Sequence, residues 1–529
     1  MENSRFGDRG FRLMMSPVIR AICFLLAVLE GLSLQAMTSA EVGQVLANAV
    51  ARAKVIAPGC VIAVVDREGY VLAVRSVGAV PAGPTQPTLA VAQAVSKAGT
   101  AAFLSSNGHA FTSRTAGFIV QQHFPPEVNF TPAGPLVGVN FSNLEFSDVN
   151  RFKHPILGRV PGLNNGINGA PVPLTSLAGV PGGIPLYKDG ILIGGVGVTI
   201  NGADILSGIQ GLNQTYTVSE DVALAGQSGL APDPVILGSN VFIDGIRLPY
   251  VNSLTGPGIY QRENYLGQPV PPFLSIAESP LVVYPASALG GVVGEVRQPI
   301  IDDPNTASLG APRLTAAEVT DILALAAARA KITRAGIRLP PGKAAQVFIT
   351  VVARPNARGV APQVLGTFRT PDATIFSWDV AVQKARTAVF FSDSHRAFST
   401  RTVGFLAQEF YPPGINFTLP GPFFGLQELY SLFPLGTNTL NGAVVQPPLA
   451  LPNPVLPNGI TIFPGGFPLY RNGVLIGAIG VSGDGIDQDD IIAASGTVNH
   501  LPPSGIRADT MMLRGARLPY AKFPRNPSL

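Results

Sequence analysis

The chain of 529 residues is expected to be an α+β protein, two successive sandwiches of antiparallel sheet and helices carrying long Gly/Pro-rich insertions. Three observations lead there. Phe111-Thr112-Ser113-Arg114-Thr115-Ala116-Gly117-Phe118 returns as Phe398-Ser399-Thr400-Arg401-Thr402-Val403-Gly404-Phe405, a displacement of 287 that also carries Lys97 to Lys384 and Asn129-Phe130 to Asn416-Phe417. Each copy runs helix, hairpin, helix, hairpin, an order that builds one antiparallel sheet covered by helices. Finally, 59 Gly and 49 Pro with only 13% charged residues describe a loop-rich globular chain.

Each copy opens with Thr-x-x-Glu, Thr38 to Glu41 and Thr315 to Glu318, the pattern of a helix capping box. Behind it Val42, Val45, Leu46 and Val50 share a helical face, as do Val319, Ile322 and Leu323. Apolar β-rich runs follow at 61–65 and 347–352. Asp66-Arg67-Glu68-Gly69 turns the first into a hairpin, and a longer Pro/Arg/Gly stretch does so in the second copy. Ala-rich helices are expected over about 89–103 and 378–391, then short helices from Arg114 and Arg401 capped by Ser113 and Thr400.

Some forty residues of Gly, Pro and Asn come next, 135–180 and 422–463. Loops of that length usually bind something or mediate assembly. Pro181-Gly182-Gly183-Ile184-Pro185-Leu186-Tyr187 and Pro464-Gly465-Gly466-Phe467-Pro468-Leu469-Tyr470 then lead through Asp189-Gly190 and Asn472-Gly473 into Gly-rich strands. Acidic pairs, Glu220-Asp221 and Asp489-Asp490, are matched as the start of the last helix.

The expected divisions are a leader at 1–36, a divergent copy at 37–255, a linker at 256–312 and a second copy at 313–529. The leader reads as a secretory signal. Its apolar run, 21–29, follows three arginines and is too short to span a bilayer comfortably. The mature protein is therefore expected to be secreted or periplasmic and not membrane-spanning. Cleavage would leave Cys60 alone, without an internal disulfide. Net charge is +4 with scattered basic residues, which excludes the footprint of a nucleic-acid binder. Enzyme motifs fail too. Gly194-Gly195-Val196-Gly197 lies inside a strand, and Gly480-Val481-Ser482-Gly483-Asp484 misses the nucleophile-elbow pattern.

Asp372-Ala373, Ala381-Val382-Gln383-Lys384-Ala385-Arg386-Thr387-Ala388, Phe463-Pro464-Gly465-Gly466-Phe467-Pro468-Leu469, Gly477-Ala478-Ile479-Gly480-Val481-Ser482-Gly483 and Gln488-Asp489 occur in that order. Together they resemble the GlcG/HbpS family, also found at the C-terminus of PduO-type proteins. The resemblance covers most of 314–500 and is weaker over 38–226. It implies PAS/profilin-like two-layer folds, oligomerisation, and binding of haem or a related tetrapyrrole. The chain departs from the pattern in its insertions, in Gly78 for Asp372, and in Gly99 for Arg386.

Haem usually takes an axial His, Met, Cys or Tyr. The five histidines do not coincide under the repeat, so no His ligand is shared by both copies. The shared candidates for ligand contact are Lys97 and Lys384, Arg114 and Arg401, and Tyr187 and Tyr470, with Asp372 in the second copy only. Structural pairing of the cations and packing of the tyrosines are the competing readings. The expected function is thus non-catalytic carriage or sensing of haem by an internal pseudo-dimer able to form homo-oligomers. The alternative is an assembly protein that works through its insertions.

Overall fold

The computed structural model describes residues 36–79, 86–144, 147–155, 169–200, 217–252, 264–305, 313–357, 359–427 and 455–522. The expected leader (but for its last residue) and the middles of both insertions lie outside these. The first half contains α1 (Ser39–Ile56), β1 (Val61–Asp66), β2 (Val71–Ser76), α2 (Gln86–Leu104), α3 (Ser113–Ile119), β3 (Gly183–Lys188), β4 (Ile191–Thr199) and α4 (Val218–Gly226). After it come β5 (Gln268–Pro269), β6 (Ala286–Leu289) and β7 (Val292–Gln298). The second half repeats the order with α5 (Ala316–Ile332), β8 (Phe348–Ala353), β9 (Val364–Arg369), α6 (Phe376–Phe390), α7 (Thr400–Leu406), β10 (Gly466–Arg471), β11 (Val474–Ser482) and α8 (Ile486–Gly496).

The fold is α+β with antiparallel sheets, ordered β3-β4-β1-β2-β5 and β6-β7-β9-β8-β11-β10. Val61 pairs with Thr199 and Ser76, as Phe348 pairs with Ser482 and Arg369. Both capping boxes form, Thr38 with Glu41 and Thr315 with Glu318. Asp189 and Gly190, like Asn472 and Gly473, take positive φ, the geometry of a tight two-residue hairpin.

Three expectations are corrected. The sandwiches have three layers, not two. In β1, Val61, Ala63 and Val65 join the cluster of Ala94, Val95 and Ala98 on α2, whereas Ile62 and Val64 join Val45 and Leu46 of α1 and Val222 of α4. In the second half a Cβ on Gly480 would meet α6, while the neighbouring Ile479 touches α8. Uninterrupted apolar runs such as Val61–Val65, rather than alternating ones, are what a strand buried on both faces requires.

The segment 256–312 is no plain linker, because β5 extends the first sheet and β6–β7 extend the second. Finally, α3 and α7 are capped one residue earlier than expected, by Thr112 and Ser399. Ser113 and Thr400 instead accept the amides of Gly183 and Gly466 at 2.8 Å, tying each short helix to its Pro-Gly-Gly turn.

The Gly-rich strands let helices approach closely. A Cβ at Gly197 would lie 2.1 Å from the Ala94 carbonyl, and one at Gly480 would lie 2.0 Å from that of Ala381.

The halves share one core cluster, which runs from Ala94 and Phe103 to Trp378 and Phe467. Charged groups are buried along the seam between them. Arg297 on β7 grips Glu68 of the first half through two hydrogen bonds of 2.8 and 2.9 Å and also meets Glu295 at 2.7 Å. Burial pushes the Glu68 carboxyl up, but Arg297, Arg369 and Lys153 outweigh that and hold it down at about 2.

The first insertion lies on α6 of the other half. Arg386 donates to both oxygens of Asp148 at 2.7 Å, and Asn150 donates to the Ile375 carbonyl. Asp379 accepts the Asn143 amide at 2.6 Å and the Ser147 hydroxyl. Where Arg386 stands in the second half, Gly99 leaves room for Phe152 of the insertion, whose ring a Cβ there would strike at 2.0 Å. Further along the seam Phe130 packs on Phe417 at 4.7 Å, Asn416 donates to the Phe130 carbonyl, and His123 lies 3.4 Å from Glu409.

Two outcomes are expected. Gly480→Ala drives a methyl into backbone and should cost about 3 kcal/mol, seen as a lower midpoint in urea denaturation. Burial raises the Asp379 carboxyl to about 6, so its contribution is complete below the unfolded carboxylate range and is lost as pH rises through 6. Between pH 4 and pH 7 the stability of wild type should therefore fall relative to that of Asp379→Asn; parallel pH profiles would refute this.

Candidate functional site

Lys97 and Lys384 sit on α2 and α6, with alanines one position after and three before each lysine. Each reaches the sheet and donates to a strand carbonyl, that of Val198 at 3.0 Å and that of Val481 at 2.8 Å. Lys384 also pairs with Asp489 on α8 at 2.8 Å. Burial lowers the Lys384 pKa, and Asp489 opposes that. The first half has Ser219 at this place, since a Cβ at Gly182 would meet Ser219 and one at Gly465 would meet Asp489. The acidic pairs therefore correspond with an offset of one from the sequence match, Glu220 standing where Asp490 stands. Acidity alone could not fix that register.

Arg114, near the start of α3, donates to both oxygens of Glu220 at 2.8 and 2.6 Å, with both side chains buried. Arg401 meets Asp490 at 2.7 Å and Asp487 at 2.6 Å, and keeps 19% of its side chain exposed. A forked guanidinium facing a carboxylate is the geometry in which a buried ion pair holds.

The two tyrosines tie down the loops after α2 and α6. Tyr187 donates to the Ser106 carbonyl at 2.7 Å and Tyr470 to that of Asp393 at 2.8 Å. Asp372 faces the other half, where it accepts from Arg67 at 2.6 Å and from the Asn107 amide. The seven residues are thus not brought into one site; each half holds its own Lys and Arg, and Asp372 joins the seam.

A cleft of about 630 Å³ opens to solvent in the first half. Buried Arg114 and the stretch Arg247, Leu248, Pro249, Tyr250 and Asn252 form much of its lining. Gly245-Ile246-Arg247-Leu248-Pro249-Tyr250 returns as Gly515-Ala516-Arg517-Leu518-Pro519-Tyr520, and that recurrence is the signal by which the sequence could have marked the cleft. Tyr250 accepts from Gln227 at 3.2 Å, and burial raises its pKa far above the ordinary value. Arg247 is exposed, its Nε held by the Ser239 carbonyl at 2.5 Å. In the second half the corresponding Arg517 is also exposed, and Lys522 meets Asp487 at 2.9 Å. Among the described residues no group of His, Cys, Asp and Glu could hold a metal ion.

Arg114→Ala should leave Glu220 buried and unpaired at a cost of about 3 to 5 kcal/mol, measurable by chemical denaturation. Arg114→Met combined with Glu220→Leu should recover most of the loss. No recovery in the double variant would mean that the arginine acts on something other than Glu220.

Residues 323–497 match the family described as haem degrading protein HbpS-like. No curated protein matches the chain. Solved structures similar to it include a PduOC–haem complex, at 24% identity over 35% of this chain and 94% of that one, with a TM-score of 0.22. The ORFY protein of Klebsiella pneumoniae shares 22% identity over 37% of this chain and 95% of its own, and HbpS shares 20% over the same fractions, both again with a TM-score of 0.22.

Proposed function

We propose that the protein is an exported, HbpS-like haem- or tetrapyrrole-binding protein, non-catalytic, in which two copies of one domain form an internal pseudo-dimer. The family match over 323–497 carries this reading. Export by the leader at 1–36 belongs to the proposal, as does carriage or sensing as the role.

The cleft of the first half offers a place for such a ligand. Arg247, exposed at the cleft, and Arg517, its exposed counterpart in the second half, fit the carboxylates of a tetrapyrrole, which forked guanidinium groups bind well; Arg114 and Arg401 are already engaged by acids of the chain. Its described lining does not fit the iron. It contains no His, Cys or Met, and its tyrosine hydroxyl is buried and held strongly protonated. Lys97, Lys384, Tyr187, Tyr470 and Asp372 serve this reading by holding the frame rather than by touching ligand.

One observation favours the assembly reading beside it. Part of the first insertion is spent on α6 of the other half and the turn before it, through Asn143, Ser147, Asp148 and Asn150. It assembles the chain with itself.

Titration of the purified mature protein with haemin should shift the Soret band at micromolar concentration, and Arg247→Ala with Arg517→Ala should weaken binding several-fold without changing the melting temperature. An unshifted spectrum would overturn the proposal. Progressive bleaching of bound haemin under ascorbate would replace carriage with turnover.

A further inference from the structure

The loops 124–131 and 411–418 are the same turn used twice, Phe-Pro-Pro-Glu-Val-Asn-Phe-Thr and Tyr-Pro-Pro-Gly-Ile-Asn-Phe-Thr. Each ends by holding a phenylalanine in the left-handed region, Phe130 at φ 62° and Phe417 at φ 65°. For a bulky residue that conformation is strained, by roughly 1 to 3 kcal/mol. The strain yields no buried ring. Phe130 is 49% exposed and Phe417 77% exposed, although burying each would stabilise the fold.

The two rings meet each other, and both approach Phe410, at 6.2 and 5.9 Å. On the same two loops Val128 and Ile415 are exposed, and Leu419 follows directly. A contiguous exposed apolar patch of this kind marks an interaction surface.

We propose that this patch is where a second copy of the chain docks, Phe130 and Phe417 packing against the same pair on the partner. Two features choose that occupant. The patch continues the seam between the halves, where equivalent residues of the repeat already face each other. A surface made of the same element twice is self-complementary about a two-fold axis, as an isologous contact needs. Charge argues against an anionic bilayer. Glu127 and Glu409 flank the rings, and Arg514, among the described residues, lies nearby with its guanidinium donating to the Pro420 carbonyl. This inference is independent of haem.

The test is self-association of the mature chain, by sedimentation equilibrium across the micromolar range. Wild type should form two-chain particles. Phe130→Asp with Phe417→Asp should weaken association at least about tenfold, whereas Val235→Asp, on an exposed apolar residue elsewhere, should not. Phe417→Ser, a milder change at a mostly exposed ring, keeps the test decisive if circular dichroism shows the double variant misfolded. A wild type that stays monomeric overturns the proposal, and so does association indifferent to the substitutions. Flotation with phosphatidylcholine vesicles, lost in the variants while wild type stays monomeric in solution, would assign the patch to lipid instead.

Discussion

A charge taken out of water must bring its counter-charge with it, and this chain places most such pairs where two segments far apart in sequence have to meet. Glu68 and Arg297 join the first half to a strand of the second sheet. Asp372 and Arg67 cross the same seam, and Asp148 and Arg386 bind the first insertion to α6. Within each half Arg114 with Glu220, and Arg401 with Asp490, fasten a short helix to the last one. Because an unpaired buried ion costs several kcal/mol, each pair specifies one docking geometry and penalises its neighbours. Apolar burial drives the collapse, and the ions decide which collapsed arrangement is kept.

The same logic explains why the repeat keeps its cations. Conservation of Lys and Arg between the copies looks like a binding signature when only the sequence is in view. In the fold, Lys97 and Lys384 satisfy strand carbonyls, and the arginines satisfy acids on a neighbouring helix. The cations common to the two halves are fasteners of the fold. What differs is the surface above them, as with Asn252 in one half and Lys522 in the other.

Local signals were legible. The capping boxes at Thr38 and Thr315 and the hairpins at Asp189-Gly190 and Asn472-Gly473 followed from residues close together in the chain. Signals that depend on distant partners were not. Nothing around 286–298 says that its strands belong to the later sheet rather than to a connector, and nothing in Asn143 or Ser147 announces Asp379. The cap at Thr112 was missed because Ser113 competes for the same place in sequence and is needed elsewhere in space. The cleft was least legible, since its residues matter only once the hairpin at 242–247 folds over Arg114.

The strands at 286–298 also change what counts as a separable unit. A fragment trimmed to the matched boundaries, 323–497, would begin partway along α5 and would lack β6 and β7. It would expose the edge of β9 to other chains, and Arg369 would lose the acid, Glu295, that it meets at 3.2 Å. Such a piece invites fibrillar pairing in solution, so the smallest fragment worth expressing starts ahead of residue 284, upstream of where similarity to relatives begins.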